Sequence, residues 1–231
     1  RRFGAPVALR ALADRLQPQL ELMSDTLQAA RFDEVSRIRD LVSQMRARRD
    51  QGITGSGYAL AMTAACAGMS PLAKRGHEQG GLEGIRTLRA LDDVLKNDGE
   101  LEALAHSLGA IHQKLAGAGA PLLCTVADDP NIQSASEAAA QCADALPTNS
   151  HNGISLEPVR AAIQEIWVTN TQVNFCAKAY PTVPSGHPDA PALSVLAAFL
   201  RNGFLHRTIR EQGGAYGGGA SHDPNIAAFR F

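Results

Sequence analysis

An α+β fold, helical in its first half and mixed in its second, is predicted by three features of the chain. Apolar residues recur at helical spacing through most of residues 6–115, and after residue 163 the spacing shortens to alternation. Between these regions a Gly-Ala-Gly-Ala-Pro run at 117–121 changes the texture. The expected organisation is a helical hairpin over 1–50, a helical region over 51–116 and an α+β portion over 117–231. The sheet of that last portion is expected to be cut short at Phe231.

The hairpin rests on Leu9, Leu12, Leu16, Leu20, Met23 and Leu27, then Val35, Ile38, Val42 and Met45. Phe32-Asp33 interrupts them, with Asp33 placed to cap the second helix. Strongly charged remaining positions suit a hairpin exposed on one side. Arg46, Arg48 and Arg49 read as its solvated end. Further helices are expected at about 57–69, 80–96 and 98–115, the last opened by Asn97 and Glu100 in capping-box order.

In the second half, Leu122 to Val126 reads as a short buried strand ended by Asp128-Asp129-Pro130, and Ser134 to Glu137 as the cap of a helix reaching about Ala145. Ile166, Val168, Val173, Phe175 and Ala177 alternate like strand residues. Asp189 and Pro191 open a helix carrying Leu193, Leu196, Phe199, Leu200, Phe204, Leu205 and Ile209. Gly213 ends it, which puts Arg210 in its last turn and Tyr216 at the start of the next strand, paired with 226–231.

Composition narrows the function classes. The chain has 231 residues, 45% of them hydrophobic, and a formal charge of -1, so it lacks the basic excess that phosphate-backbone binding needs. Cys66, Cys124, Cys142 and Cys176 form no C-x-x-C pair and sit among apolar residues, which reads as buried small hydrophobes in a reducing compartment. Bacterial cytoplasm is the first reading of that compartment and an organelle matrix the second. The charge-free stretch 52–73 is too diluted by Gly, Ser, Thr and Pro to cross a bilayer. No initiator Met or signal core opens the chain, so it reads as a segment of something larger.

Seven histidines include no i, i+4 pair and no H-x-x-E-H, so no complete zinc site is expected within the chain. No G-x-S-x-G occurs, and the Gly-rich run follows a helix and precedes a strand, the wrong order for a phosphate loop. What stands out is Arg210-Glu211-Gln212-Gly213-Gly214-Ala215-Tyr216-Gly217-Gly218-Gly219. A permanent cation and a rigid phenol flank a Gly-Gly break, which is equipment for gripping an oxyanion or a peptide. The plainer reading makes Arg210 a helix C-terminal charge and Tyr216 a strand aromatic. Three consecutive glycines weaken a strand, however, and suit one whose backbone is approached.

The run from Leu200 to Arg207 and that from Ile209 to Gly219 resemble the insulinase or pitrilysin family of inverted-motif zinc metallopeptidases, in its presequence-protease branch. The likeness is specific over 200–219 and looser over the hairpin, Gly57 to Leu60, Ser70-Pro71 and 122–129. It implies a clamshell of two halves enclosing a peptide, with zinc and its catalytic glutamate in the first half. This chain would belong to the second half, with Arg210 and Tyr216 reaching the scissile carbonyl and the hairpin joining the halves. Gly217, Gly218 and Gly219 would pair with substrate backbone as an added strand. Asn202 and His206 rank second, since helix packing explains them equally. The partners implied are a short unstructured peptide and the zinc-bearing N-terminal half of the same polypeptide. The fragment alone is expected to be inactive. A non-catalytic scaffold or interaction module related to such peptidases is the competing expectation.

Overall fold

The computed structural model describes residues 8–116, 122–146 and 155–231. The 117–121 break, most of the polar loop before Ser155, His151 and the opening Arg1-Arg2-Phe3 lie outside them. The chain forms two compact units, Arg1–Leu41 with Val94–Ser155 and Val42–Asp93 with Leu156–Phe231. Helices dominate, and a three-stranded antiparallel sheet accompanies them, as the α+β reading requires.

The first unit holds a single tight turn at Ala13–Arg15, then α1 (Leu16–Gln28), α5 (Asp98–Ala116) and α6 (Ile132–Asp144). It also contains the start of α2 (Val35–Cys66). The expected α1–α2 hairpin is not the main packing, because α1 lies chiefly against α5 and α6. The reason is the small-residue stripe of α6, where Ala135, Ala139 and Ala143 are all buried and let α1 come close. Asp33 does not cap α2 with its side chain. Its carboxylate is taken by Arg31 in a two-pronged pair at 3.0 and 2.6 Å. At α5, Asn97 Oδ1 accepts from the Gly99 amide at 2.9 Å, so the expected start is realised. Residues 122–126 are not a strand. Leu122 and Val126 are 92% and 91% exposed, since among the described residues no neighbouring strand supplies a ladder.

In the second unit, two expected helices prove to be one. α2 continues through the Gly52-Ile53-Thr54-Gly55-Ser56-Gly57 stretch, which bends it at Ser56 (φ -120°, ψ 16°) without breaking it. Gly57 has a packing reason, because a Cβ there would run into the Phe175 ring. Gly68 likewise leaves room for Ala161, whose amide donates to the Gly68 carbonyl at 2.9 Å. These two glycines let the irregular run 155–178 lie directly on α2. A helix absent from the expectations, α3 (Pro71–Gly80), opens on Ser70, whose hydroxyl accepts from the Ala73 amide at 3.2 Å. α4 (Leu82–Val94) follows. Arg46 and Arg49 are not a solvated end but lie mid-helix. Arg46 pairs with Asp92 at 2.8 Å and Asp93 at 3.0 Å, and Arg49 donates to the Gly80 carbonyl.

The strand expected from Ile166 onward shrinks to β1 (Ala179–Pro181). The alternation of Phe175, Ala177 and Ala179 is real in burial, but ladder bonds begin only at Lys178, which exchanges both backbone bonds with Phe231. β2 (Ser221–Asp223) and β3 (Ala228–Arg230) complete the order β1-β3-β2, with Tyr180 opposite Phe229 and Phe229 opposite His222. α7 (Ala190–Leu200) starts where Asp189 and Pro191 indicate. Its Ala197 joins Leu205, Ala220 and Phe229 in a core flanked by Leu193, Leu200, Ile209 and Phe231.

Of the cysteines, Cys66 is buried, and burial pushes its thiol above the usual range despite nearby Arg230. Cys124 and Cys176 are exposed, contrary to the buried reading, because the strands expected to enclose them do not form. Among the described residues no helix is long and apolar enough to cross a membrane.

Candidate functional site

Past Leu200 the helix does not stop. From Arg201 to Gln212 it widens to turns closed by i→i+5 bonds, a geometry that is rare and is seen often at functional sites. Gly203 near its start lowers helix preference. Leu205 and Ile209 hold the widened segment to the core, and the other face turns to solvent. Widening also changes which side chains meet. His206 Nδ1 stands 3.4 Å from Glu211 Oε1, five residues on, where an α-helix would pair residues four apart.

The segment ends as its glycines dictate. Gly213 closes it, Gly214 takes a left-handed φ of +67°, and the Ala215 amide turns back to the Ile209 carbonyl at 3.1 Å. That bond ties residue 209 to residue 215, so the next residue on each side, Arg210 and Tyr216, is held by a single closed loop. Both side chains are exposed, Tyr216 at 97%. Neither makes a hydrogen bond or ion pair with any described residue.

The loop then runs back along the helix it has left. A Cβ on Gly218 would press to 2.8 Å from Ile209 Cδ1, and one on Gly219 would lie 3.8 Å from Arg201 Cδ. A Cβ on Gly217 would meet nothing within 4 Å. Gly218 is thus glycine for internal packing, whereas nothing inside the unit requires Gly217 to be one. The expectation that Tyr216 and the three glycines begin a strand is corrected. They lie in irregular backbone, and β2 starts only at Ser221. Asn202 is exposed and His206 is engaged by Glu211. Ile209, which anchors helix, loop and core together, is not singled out by motif reasoning. Its only sequence signal is the apolar spacing from Leu205.

Among the described residues, no three His, Cys, Asp or Glu side chains are grouped as a metal ion requires. The His222 ring stacks on Phe229, with Nδ1 3.3 Å from Ser194 Oγ. Ser194 also returns a bond to its own helix at Ala190, and no carboxylate completes a relay, so the pair reads as packing.

Two protein-family models match the chain. One, described as the associated domain of M16 peptidases of subfamily C, matches residues 4–91, and the other, described as Peptidase M16 inactive domain, matches residues 132–231. The chain belongs to the M16 peptidase family, in its presequence-protease branch. Among its M16 relatives, Presequence protease 1, chloroplastic/mitochondrial, of Arabidopsis thaliana is 27% identical over 223 residues, covering 96% of this chain and 20% of the relative. Presequence protease, mitochondrial, of Yarrowia lipolytica is 29% identical over 233 residues, covering 96% and 22%. That of Danio rerio is 25% identical over 245 residues, covering 94% and 23%. The chain thus spans about a fifth of the length of the curated M16 relatives it matches. The inactive-domain match contains the whole of α7, the widened segment, the glycine loop and all three strands.

Proposed function

We propose that this chain is the substrate-binding part of a zinc-dependent metalloendopeptidase that degrades short unstructured peptides. Arg210 and Tyr216 bind the scissile carbonyl in this reading. The observation that carries it is their pairing on one closed loop, exposed and without internal partners, beside an unobstructed Gly217. As a peptide bond is attacked, negative charge builds on its oxygen. A guanidinium and a phenol aimed there favour the transition state over the substrate.

The described residues do not fit a zinc ion, so this reading assigns zinc and the attacking chemistry to sequence outside residues 1–231. Residues 1–231 alone are then inactive, in keeping with the words "inactive domain" in the matching family description. Gly217, Gly218 and Gly219 present backbone to the peptide, while Asn202 and His206 line the same helix end. The zinc-bearing N-terminal half of the same polypeptide is the partner. The relatives' names, mitochondrial and chloroplastic/mitochondrial, support an organelle matrix over the bacterial cytoplasm as the compartment.

The test is turnover of a quenched peptide by the full-length protein carrying Tyr216→Phe or Arg210→Ala. Loss in both is expected. Unchanged kcat/KM in both removes the two residues from the site, and a full-length protein that binds no zinc favours the scaffold reading.

A further inference from the structure

We infer that Arg201 forms a second anion-binding position beside the glycine loop, one that selects peptides carrying an acidic side chain three to four residues from the scissile bond. The inference rests on the proposed function and deepens it by naming a substrate class.

Three observations converge on Arg201. It opens the widened segment, is exposed, and makes no ion pair or side-chain hydrogen bond with any described residue. Its side chain is nevertheless placed. The aliphatic stem runs past Gly219, where a Cβ would lie 3.8 Å from Cδ and 4.0 Å from Cγ. The loop therefore supports the stem and leaves the guanidinium beyond it, as amphipathic cations do when their methylenes are covered and their charge is not. Finally, the loop runs antiparallel to the segment, with Ala215 tied to Ile209, Gly218 over Ile209 and Gly219 over Arg201. Arg210 and Arg201 thus mark the two ends of one track.

The length of that track sets the specificity. Nine residues separate the two arginines in sequence. At about 1.5 Å per residue, the α-helical rise, this is at most ~13 Å. An extended peptide advances about 3.3 Å per residue, so a substrate whose carbonyl meets Arg210 brings its third or fourth neighbour to Arg201. A guanidinium recognises a carboxylate there through paired N–H donors, and a lysine at that position would be repelled. Arg207 is also unpaired among the described residues, but no loop atom lies against it, so it lacks the same support.

The test uses the full-length protein and quenched peptides that differ only by Glu or Lys at the third or fourth residue on either side of the cleaved bond. The wild type is expected to prefer Glu at one of these positions. Arg201→Gln, which keeps the stem, should reduce that preference about fivefold through KM, and Arg201→Glu should reverse it toward Lys. Arg210→Ala should lower turnover of both peptides alike. If Arg210→Ala abolishes turnover while the Glu/Lys ratio is the same in wild type, Arg201→Gln and Arg201→Glu, the Arg201 inference alone is overturned. If Arg210→Ala retains wild-type turnover, the underlying reading falls and takes this inference with it.

Discussion

Residues 42–93 and residues 201–220 belong to the same compact unit and use arginine in opposite ways. In the first region Arg46 pairs with Asp92 and Asp93, Arg89 with Asp50 at 2.8 Å, Arg86 with Glu83 at 2.7 Å, and Arg49 with a backbone carbonyl. In the second, Arg201, Arg207 and Arg210 have no ion partner among the described residues. A guanidinium held by its own fold is fixed and already neutralised, so it has little to offer a ligand. One that is placed by its backbone but left unpaired keeps its full charge for whatever arrives. The helices of 42–93 therefore read as scaffold and the widened segment as the working surface.

The strongest way to break this contrast is to remove Arg210. Arg210→Ala in the full-length protein is expected to lower kcat/KM about 10²–10³-fold, the usual cost of losing one transition-state donor. The melting temperature should not move, because no described residue loses a partner. A fall in melting temperature large enough to account for the lost turnover would place Arg210 with the scaffold arginines instead.

A scaffold position should behave the other way. Gly57→Ala gains about 1 kcal/mol in helix preference, yet its new methyl enters the space of the Phe175 ring. Overpacking of that kind costs about 1–3 kcal/mol, so a net loss of stability is expected. Adding Phe175→Leu should recover most of it, with little change in turnover per folded molecule. Thermal melts of the single and double variants decide this, and equal stability of Gly57→Ala and wild type would show that the ring gives way freely.

These two sites also mark what the sequence made legible. Helical periodicity fixed α1, α5 and α7 closely, since an apolar stripe every three to four residues admits few alternatives. It could not tell that the 52–57 glycines bend α2 rather than end it, because that depends on Phe175 arriving from more than a hundred residues away. Ser70-Pro71 is a local helix start that its neutral neighbours conceal. The strands over 122–126 and 166–177 failed for a different reason. Alternation reports burial on one face, but a strand also needs a neighbour, and that is non-local. At the site, the Arg210, Gly213 and Tyr216 order was readable, whereas the Ile209 anchor and the widened turns were not. No residue type announces an i→i+5 bond.

Gly214 joins the two halves of the contrast, since it is a structural residue inside the working surface. At φ +67° an alanine costs about 1–2 kcal/mol. The Ala215–Ile209 bond that sets Arg210 against Tyr216 should loosen with it. Gly214→Ala is therefore expected to lose both stability and kcat/KM, the latter more than unfolding explains. Loss of stability alone, with turnover per folded molecule intact, would mean that the loop closure does not position the pair.

The smallest expected effect lies in the scaffold and follows from pH. Asp92 is held below the ordinary carboxylate range first by the Ser43 hydroxyl, which donates to it at 2.6 Å, and further by Arg46; partial burial opposes both. A carboxylate whose pKa is depressed on folding adds stability that is full above its unfolded value, about 3.9, and is lost as pH falls through the lower folded value. Ser43→Ala removes the leading cause, so it should lower stability at pH 7 by less than about 1 kcal/mol. At pH 3 the gap between variant and wild type should narrow, because protonation of Asp92 in the unfolded chain has already removed part of what Ser43 contributes. Melts at pH 7, 5 and 3 read this directly. A gap that stays constant across that range would assign the Ser43 effect to packing, and would leave the Arg46 pairs as the only charge-dependent tie between α2 and Asp92.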